Sequence, residues 1–256
     1  MPFFNRPTPC RQRPTAFPHH VVAAACLALV CGAIPSGHAA PSCTVDSERP
    51  MLYRLELTVP ATFCRDRPTD RSCQQFPKPS AIQLHGLWPN YRSGFPQGAC
   101  PEAECPHQPP EVGTYCRYPA PPGLYESGAW KALSAYMAGT ESCLERHEWV
   151  KHGTCSPMDP PSYFAWALQN TRHIAEALRW PTERPVSRRQ FNQRVAKRLP
   201  ELVGAIRLTC RDGSLSSLYV LYEWGPVPTR PIPTRNKANH FGNCPNSFLI
   251  PAQPPS

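Results

Sequence analysis

Residues 147–155 read HEWVKHGTC, which places two imidazoles, a carboxylate and an ammonium group within six residues. A helix over residues 144–152 would set Glu148 and His152 four positions apart, on one face. Lys151 follows Glu148 by three positions and flanks the same face, and Gly153 is a typical helix terminator. The stretch therefore predicts a compact polar group that can hold or release a proton and tolerate a nearby negative charge.

A metal site is a second interpretation of this stretch. The zinc-binding pattern HExxH has its two histidines four positions apart on a helix, whereas His147 and His152 are five positions apart. At ~100° per residue their side chains would point about 140° apart around the helix axis, and Lys151 would repel a cation. A zinc-dependent hydrolase stays as an alternative, and a solvated charged helix face is the third interpretation.

An earlier segment, residues 82–89, reads IQLHGLWP. Apolar and polar residues alternate from Ile82 to His85, which predicts a short strand, and Gly86 and Pro89 are expected to end it. We therefore expect His85 at the end of a strand, facing its polar side, with Trp88 close behind. Taken alone, such a histidine and such a tryptophan are ordinary structural residues.

Together, HGLWP followed by HEWxKHGTC resembles the two active-site segments of the ribonuclease T2 family. Members of this family are secreted, base-unspecific endoribonucleases. Both segments occur in the family's order, with His85 and His152 67 positions apart. The resemblance implies an enzyme that cuts single-stranded RNA without a cofactor or a metal. A catalytically quiet RNA-binding or toxin-like relative is the alternative, although every reactive position of both segments is filled.

The resemblance also assigns catalytic roles. It implies that His152 is the general base and His85 the general acid, a direction that the sequence alone leaves open. Glu148 would orient or polarise His152 and the phosphate. Lys151 would stabilise the pentacovalent state, and His147 would bind phosphate.

Three further residues are candidates for base recognition. The resemblance implies that Trp88 stacks on a base or packs beside the site, since stacking tolerates any base. Asn90 stands where the family often has the aspartate linked to base recognition, so the base preference stays open. Tyr91 is a candidate second stacking partner, with a structural aromatic as the alternative.

The chemistry explains why two imidazoles from different elements are needed. RNA carries its own nucleophile, the 2′-hydroxyl. One imidazole can take its proton while another protonates the departing 5′-oxygen, because the imidazole pKa lies near neutral pH. The products would be a 2′,3′-cyclic phosphate and later a 3′-phosphate. In-line displacement needs the two rings on opposite sides of the phosphorus.

The first 39 residues have the pattern of a secretory signal peptide. They carry three arginines and no acidic residue, followed by an apolar run over residues 21–34. Small residues at Gly37 and Ala39 predict cleavage after Ala39, with Ala40 as the alternative. A membrane anchor is the other interpretation, but the run is short for a membrane span. We expect a secreted or periplasmic protein whose mature form, a catalytic domain at residues 40–256, has no membrane segment.

The cysteines fit an oxidising compartment. The chain has 13, and the ten that follow the predicted signal peptide allow up to five disulfides. From the family resemblance we expect Cys155 to pair with a cysteine between the two segments, with Cys100 as the candidate. We also expect Cys210 to pair with Cys244.

Length and pattern predict a single α+β domain with a central antiparallel sheet, flanking helices and disulfide bonds. The mature chain keeps an excess of six basic residues, which suits a polyanionic substrate, and a monomer is the default. The basic face of the helix at 187–198 is interpreted as a solvated surface rather than an RNA groove. The predicted strands and helices lie at residues 52–59, 126–138, 161–179, 187–199, 206–210 and 218–224.

Overall fold

Strand β1, Met51–Thr58, has the alternation that decides where the core lies. Tyr53, Leu55 and Leu57 are fully buried on one face, and Arg54 lies on the opposite face, as a pleated strand requires. This is the strand predicted at 52–59. The computed structural model describes residues 43–74, 78–96, 98, 114–180, 184–234 and 240–253.

The main sheet has four antiparallel strands. β1 pairs on one side with β2 (Gln83–Tyr91) and on the other with β5 (Ser214–Glu223), which pairs with β4 (Ile206–Arg211). A two-stranded sheet joins β3 (Val186–Ser187) to β6 (Ser247–Phe248). The described residues fall in one compact unit. The prediction of a single α+β domain built on an antiparallel sheet is therefore confirmed.

The longest helix shares the hydrophobic core with this sheet. The buried face of helix α4 (Pro160–Ala177), with Tyr163, Phe164 and Ala167, joins the same hydrophobic core as the apolar face of β1. Asp159 caps α4 by accepting the backbone N–H of Ser162 at 2.9 Å. The helices predicted at 126–138, 161–179 and 187–199 are present, with slightly different ends. The five α-helices of the described residues are α1 (Pro60–Asp66), α2 (Gly128–Tyr136), α3 (Leu144–Lys151), α4 (Pro160–Ala177) and α5 (Arg188–Arg198).

The prediction that a strand stops before Gly86 is wrong. β2 continues for nine residues through both Gly86 and Pro89. It is an edge strand, where the missing N–H of a proline need not interrupt a ladder. His85 is therefore not at a strand end. Leu84 lies opposite Leu57 and Gly86 opposite Glu56, which leaves His85 as the extra residue of a β-bulge, a feature common beside active sites.

Four disulfides link the described residues: Cys43–Cys155, Cys64–Cys73, Cys116–Cys143 and Cys210–Cys244. The predicted Cys210–Cys244 bond is confirmed. The expected partner of Cys155 is wrong, because the segment before β1 brings Cys43 to the turn after α3, with a Cα–Cα distance of 5.0 Å.

Two predictions concern parts of the chain that lie outside the described residues. These parts are the predicted signal peptide at residues 1–39 and the segment that contains Cys100, so the cleavage after Ala39 stays a prediction. Within the described ranges, no helix combines the length and the apolar composition of a membrane span.

Candidate active site

Helix α3 supplies most of the polar residues of the candidate site. It begins after Cys143, which has a left-handed backbone (φ 59°) and is tied to Cys116. It ends at Lys151, one residue earlier than predicted, but the N–H of His152 still donates to the carbonyl of Glu148 at 3.1 Å. Glu148 and His152 are therefore held on one side of the helix end, as the sequence predicted, and both are almost fully buried.

The Glu148 carboxylate connects the helix to β2. Its Oε2 accepts the indole N–H of Trp88 at 2.6 Å, and its Oε1 lies 3.5 Å from His85 Nε2. Gly86 makes this approach possible. A Cβ on Gly86 would lie 2.0 Å from Glu148 Oε2 and 2.5 Å from the Trp88 indole nitrogen, so this position has no room for a side chain.

The Trp88 ring contacts both candidate catalytic histidines. The His85 ring meets it edge-on, with 5.4 Å between ring centroids. The His152 ring stacks on it at 5.1 Å, with 28° between the planes. His85 and His152 therefore reach one tryptophan from two different elements. Their exposure differs, since the side chain of His85 is 41% exposed, whereas only 4% of His152 is.

His147 lies beside the 114–118 segment rather than beside Trp88. Its ring is 4.5 Å from that of Tyr115 and 6.0 Å from that of Tyr118. It is buried, and none of the described residues forms a hydrogen bond with its Nδ1. The same holds for Nδ1 of His152. Each ring therefore keeps one buried nitrogen that no described residue pairs.

Phe95 is a part of the site that the sequence did not reveal. Its ring meets His152 edge-on at 4.9 Å, and the ammonium of Lys151 lies 5.5 Å from the ring centroid. Phe95 is 38% exposed, so it forms an open aromatic edge of the site. Phe95 lies seven positions after Trp88, in the loop that follows β2. No periodicity predicts which way a side chain points in such a loop.

Asn90 and Tyr91 are not brought into this cluster. The amide of Asn90 donates to the carbonyl of Tyr91 at 2.9 Å. Tyr91 is buried, its hydroxyl accepts the N–H of Asp46 at 2.7 Å, and the Arg49 guanidinium lies 3.9 Å from its ring centroid. These contacts favour the structural alternative for Tyr91, because both its ring and its hydroxyl are engaged by the segment before β1.

Burial dominates the electrostatics of the site. It raises the pKa of Glu148 to about 8, although the hydrogen bond from Trp88 and the charge of Lys151 oppose this. Burial and the Lys151 ammonium lower the pKa of His147 to about 3 and that of His152 well below its ordinary value. The pKa of His85 is lowered too, by burial of its ring and then by the charges of Arg54 and Lys151, even though part of its side chain is exposed.

These pKa shifts determine which side chains of the site can accept a proton. In the free protein near pH 7 the three imidazoles are neutral, so each can accept a proton. An anionic phosphate placed among them would favour their charged forms and so raise their pKa values. The arrangement therefore suits proton transfer around a bound anion, with the Lys151 ammonium, whose pKa burial lowers, as the neighbouring positive charge.

The chain is similar to known proteins in both sequence and fold. The sequence profile of the ribonuclease T2 family matches residues 50–192. Ribonuclease I of Escherichia coli strain K12 is 30% identical over 232 residues, which is 77% of this chain and 85% of that protein. Among solved structures, the RNase-related protein from Calystegia sepium aligns with a TM-score of 0.55 and 17% identity, over 80% of this chain and 99% of its own.

A second solved structure, RNase NT in complex with 5′-AMP, aligns with a TM-score of 0.51 and 19% identity. It covers 78% of this chain and 98% of its own. At these identities the two structural alignments support the fold, and the sequence matches support the family. The chain therefore belongs to the ribonuclease T2 family.

Proposed function

We propose that this chain is a secreted or periplasmic enzyme that cleaves single-stranded RNA by metal-independent transphosphorylation. Its family supports endoribonuclease activity. The observation that carries the proposed mechanism is the placement of His85, on β2, and His152, at the end of α3, against the same Trp88 ring. Removal of residues 1–39 would leave the catalytic domain at residues 40–256.

In the proposed reaction, His152 takes the proton of the 2′-hydroxyl, and the 2′-oxygen attacks the phosphorus. His85 gives a proton to the departing 5′-oxygen, so the bond to that oxygen breaks and a 2′,3′-cyclic phosphate forms. Water then opens the cyclic ester to a 3′-phosphate. Each histidine ends the first step in the other's starting protonation state, so the second step restores both.

Charge stabilisation is the second part of the proposal. Lys151 would offset the negative charge that gathers on the phosphoryl oxygens. Glu148 would orient His152 and the phosphate, and His147 would bind phosphate. Trp88, whose ring already stacks with that of His152, would pack beside the site or stack on a base with the rest of its surface.

Alanine substitution tests the two histidines. We expect His85→Ala and His152→Ala each to lower kcat/KM on a dinucleotide substrate by ~10²–10⁴-fold, because each removes a proton-transfer group. His173→Ala is the matched control, since that exposed histidine pairs with Glu201 on the surface. Near-normal turnover in His85→Ala or His152→Ala would overturn the assignment.

The zinc-dependent alternative is separated by a chelator. We expect the purified protein to keep its turnover in excess EDTA. Loss of turnover that zinc then restores would favour a zinc-dependent hydrolase instead.

A further inference from the structure

The polar face of the main sheet carries a row of side chains that ends at the candidate site. Arg207 on β4 lies opposite Tyr219 on β5, and Tyr219 lies opposite Glu56 on β1. Glu56 in turn lies opposite Gly86 on β2, next to which the Glu148 carboxylate packs. The row therefore crosses all four strands and is continuous with the site.

Arg54 links this row to Trp88. It lies directly opposite Trp88 across the β1–β2 pair, and its guanidinium is 5.1 Å from the indole ring centroid. The same guanidinium lies 3.9 Å from the ring centroid of Tyr219, and that of Arg207 lies 5.5 Å from it. One tyrosine ring thus holds two guanidinium groups in place, and such preorganisation reduces the cost of binding.

The two arginines of this face differ in whether a carboxylate pairs with them. Arg54 forms an ion pair with Glu56 at 2.7 Å, and Glu56 is only 5% exposed. No carboxylate of the described residues pairs with Arg207, and its buried Nη1 has no hydrogen-bond partner among them. Burial lowers the pKa of Arg207, so its charge is incompletely solvated. An anion would compensate it, and guanidinium geometry matches phosphate oxygens.

We propose that Arg54, Tyr219 and Arg207 form an accessory RNA subsite that binds a phosphate of the same strand, beyond the phosphodiester that is cleaved. The subsite rests on the proposed ribonuclease function. Three inter-strand spacings of ~4.8 Å separate β2 from β4, so the subsite extends about 14 Å from the site. Phosphate contacts carry no base information, so the subsite selects for strand length and not for sequence.

Arg207→Gln tests the subsite, because Arg207 is the member farthest from the histidines. The substrates are a dinucleotide and an octanucleotide that contains the same scissile step. We expect Arg207→Gln to lower kcat/KM for the octanucleotide several-fold more than for the dinucleotide. The matched control is Arg211→Gln on the same strand, where the arginine is paired with Asp66 at 2.9 Å.

A binding measurement gives a readout besides turnover. The probe is a fluorescent 2′-O-methyl octanucleotide, which lacks the nucleophile, and its affinity is measured by anisotropy over a series of salt concentrations. Loss of one phosphate contact should reduce the slope of log K against log salt by ~0.7 for a single strand. Arg211→Gln should leave the slope unchanged.

The outcomes separate the two proposals. Suppose that the wild type cleaves the dinucleotide and that Arg207→Gln has the same length preference and the same salt slope as the wild type. The subsite proposal is then wrong, and the proposed function stands. An equal effect of Arg211→Gln would also overturn the subsite, because it would reflect net charge alone. If the wild type cleaves neither substrate, the proposed function itself fails.

Discussion

At the scale of single residues, the three histidines of the candidate site lie in different environments. His85 is partly open to solvent, whereas His147 and His152 are buried. The spacing of the second segment predicted that Glu148 and His152 share a side of one helix, because helical periodicity is local information. Phe95 was not predictable, since its position depends on how a loop folds back over the end of α3.

The lowered histidine pKa values predict an acidic pH optimum. If His152 is the base, kcat/KM rises with pH through its pKa, which lies below the ordinary 6.5. If His85 is the acid, kcat/KM falls as pH rises through its pKa, which is also below 6.5. The profile of kcat/KM, which reports the free enzyme, should therefore peak below pH 6.5.

Lys151→Gln should move this optimum toward higher pH. The Lys151 ammonium lowers the pKa of both His85 and His152, so its removal raises both values, and the maximal rate should fall as well. Lys197→Gln, on the exposed face of α5, is the control and should leave the profile in place. An optimum that stays fixed or moves to lower pH in Lys151→Gln would contradict these electrostatics.

At the scale of elements, the sequence predicted which segments form strands and helices better than where they end. β1 and α4 have clear alternation or helical periodicity and were placed within two residues. β2 was predicted too short, because Gly86 and Pro89 usually interrupt strands. Whether they do so here depends on the position of β2 at the sheet edge and on its bulge, and both are tertiary features that local sequence does not encode.

Gly86→Ala tests the contact between β2 and α3. The added Cβ would overlap the Glu148 carboxylate, so the Trp88–Glu148 hydrogen bond should break and kcat/KM should fall by at least tenfold, or ~1.4 kcal/mol. The control is Gly128→Ala in the first turn of α2, where a Cβ meets nothing within 4 Å. It should keep activity and stabilise the protein by up to ~1 kcal/mol. Equal activity of the two variants would contradict the packing described.

At the scale of the whole molecule, the fold joins segments that are distant in sequence. The number of cysteines predicted a disulfide-stabilised domain, but connectivity does not follow from sequence. Cys43 pairs with Cys155 across a sequence separation of 112 residues, and that bond ties the N-terminal segment to the turn after His152. The Arg207–Tyr219 row was equally hidden, because only the strand order places β5 between β1 and β4.

Removing the Cys43–Cys155 bond should destabilise the protein more than removing Cys64–Cys73, which spans nine residues. The loop-closure account gives about 4–5 kcal/mol for the first pair and about 2–3 kcal/mol for the second. Urea unfolding of the two double alanine variants measures the difference. A smaller loss for the Cys43–Cys155 variant would mean that chain entropy is not the main contribution of this bond.

The most direct test of the central claim is the chemistry of the product ends. Purified protein that lacks residues 1–39 is incubated in EDTA with an end-labelled RNA oligonucleotide and with its DNA counterpart, and the fragments are analysed by mass spectrometry at early times. We predict 2′,3′-cyclic phosphate ends on the RNA fragments, an intact DNA strand, and RNA cleavage that is ~10²–10⁴-fold slower in His152→Ala. Cleavage of DNA at a similar rate, or RNA fragments without a cyclic phosphate at any time, would contradict transphosphorylation by His85 and His152.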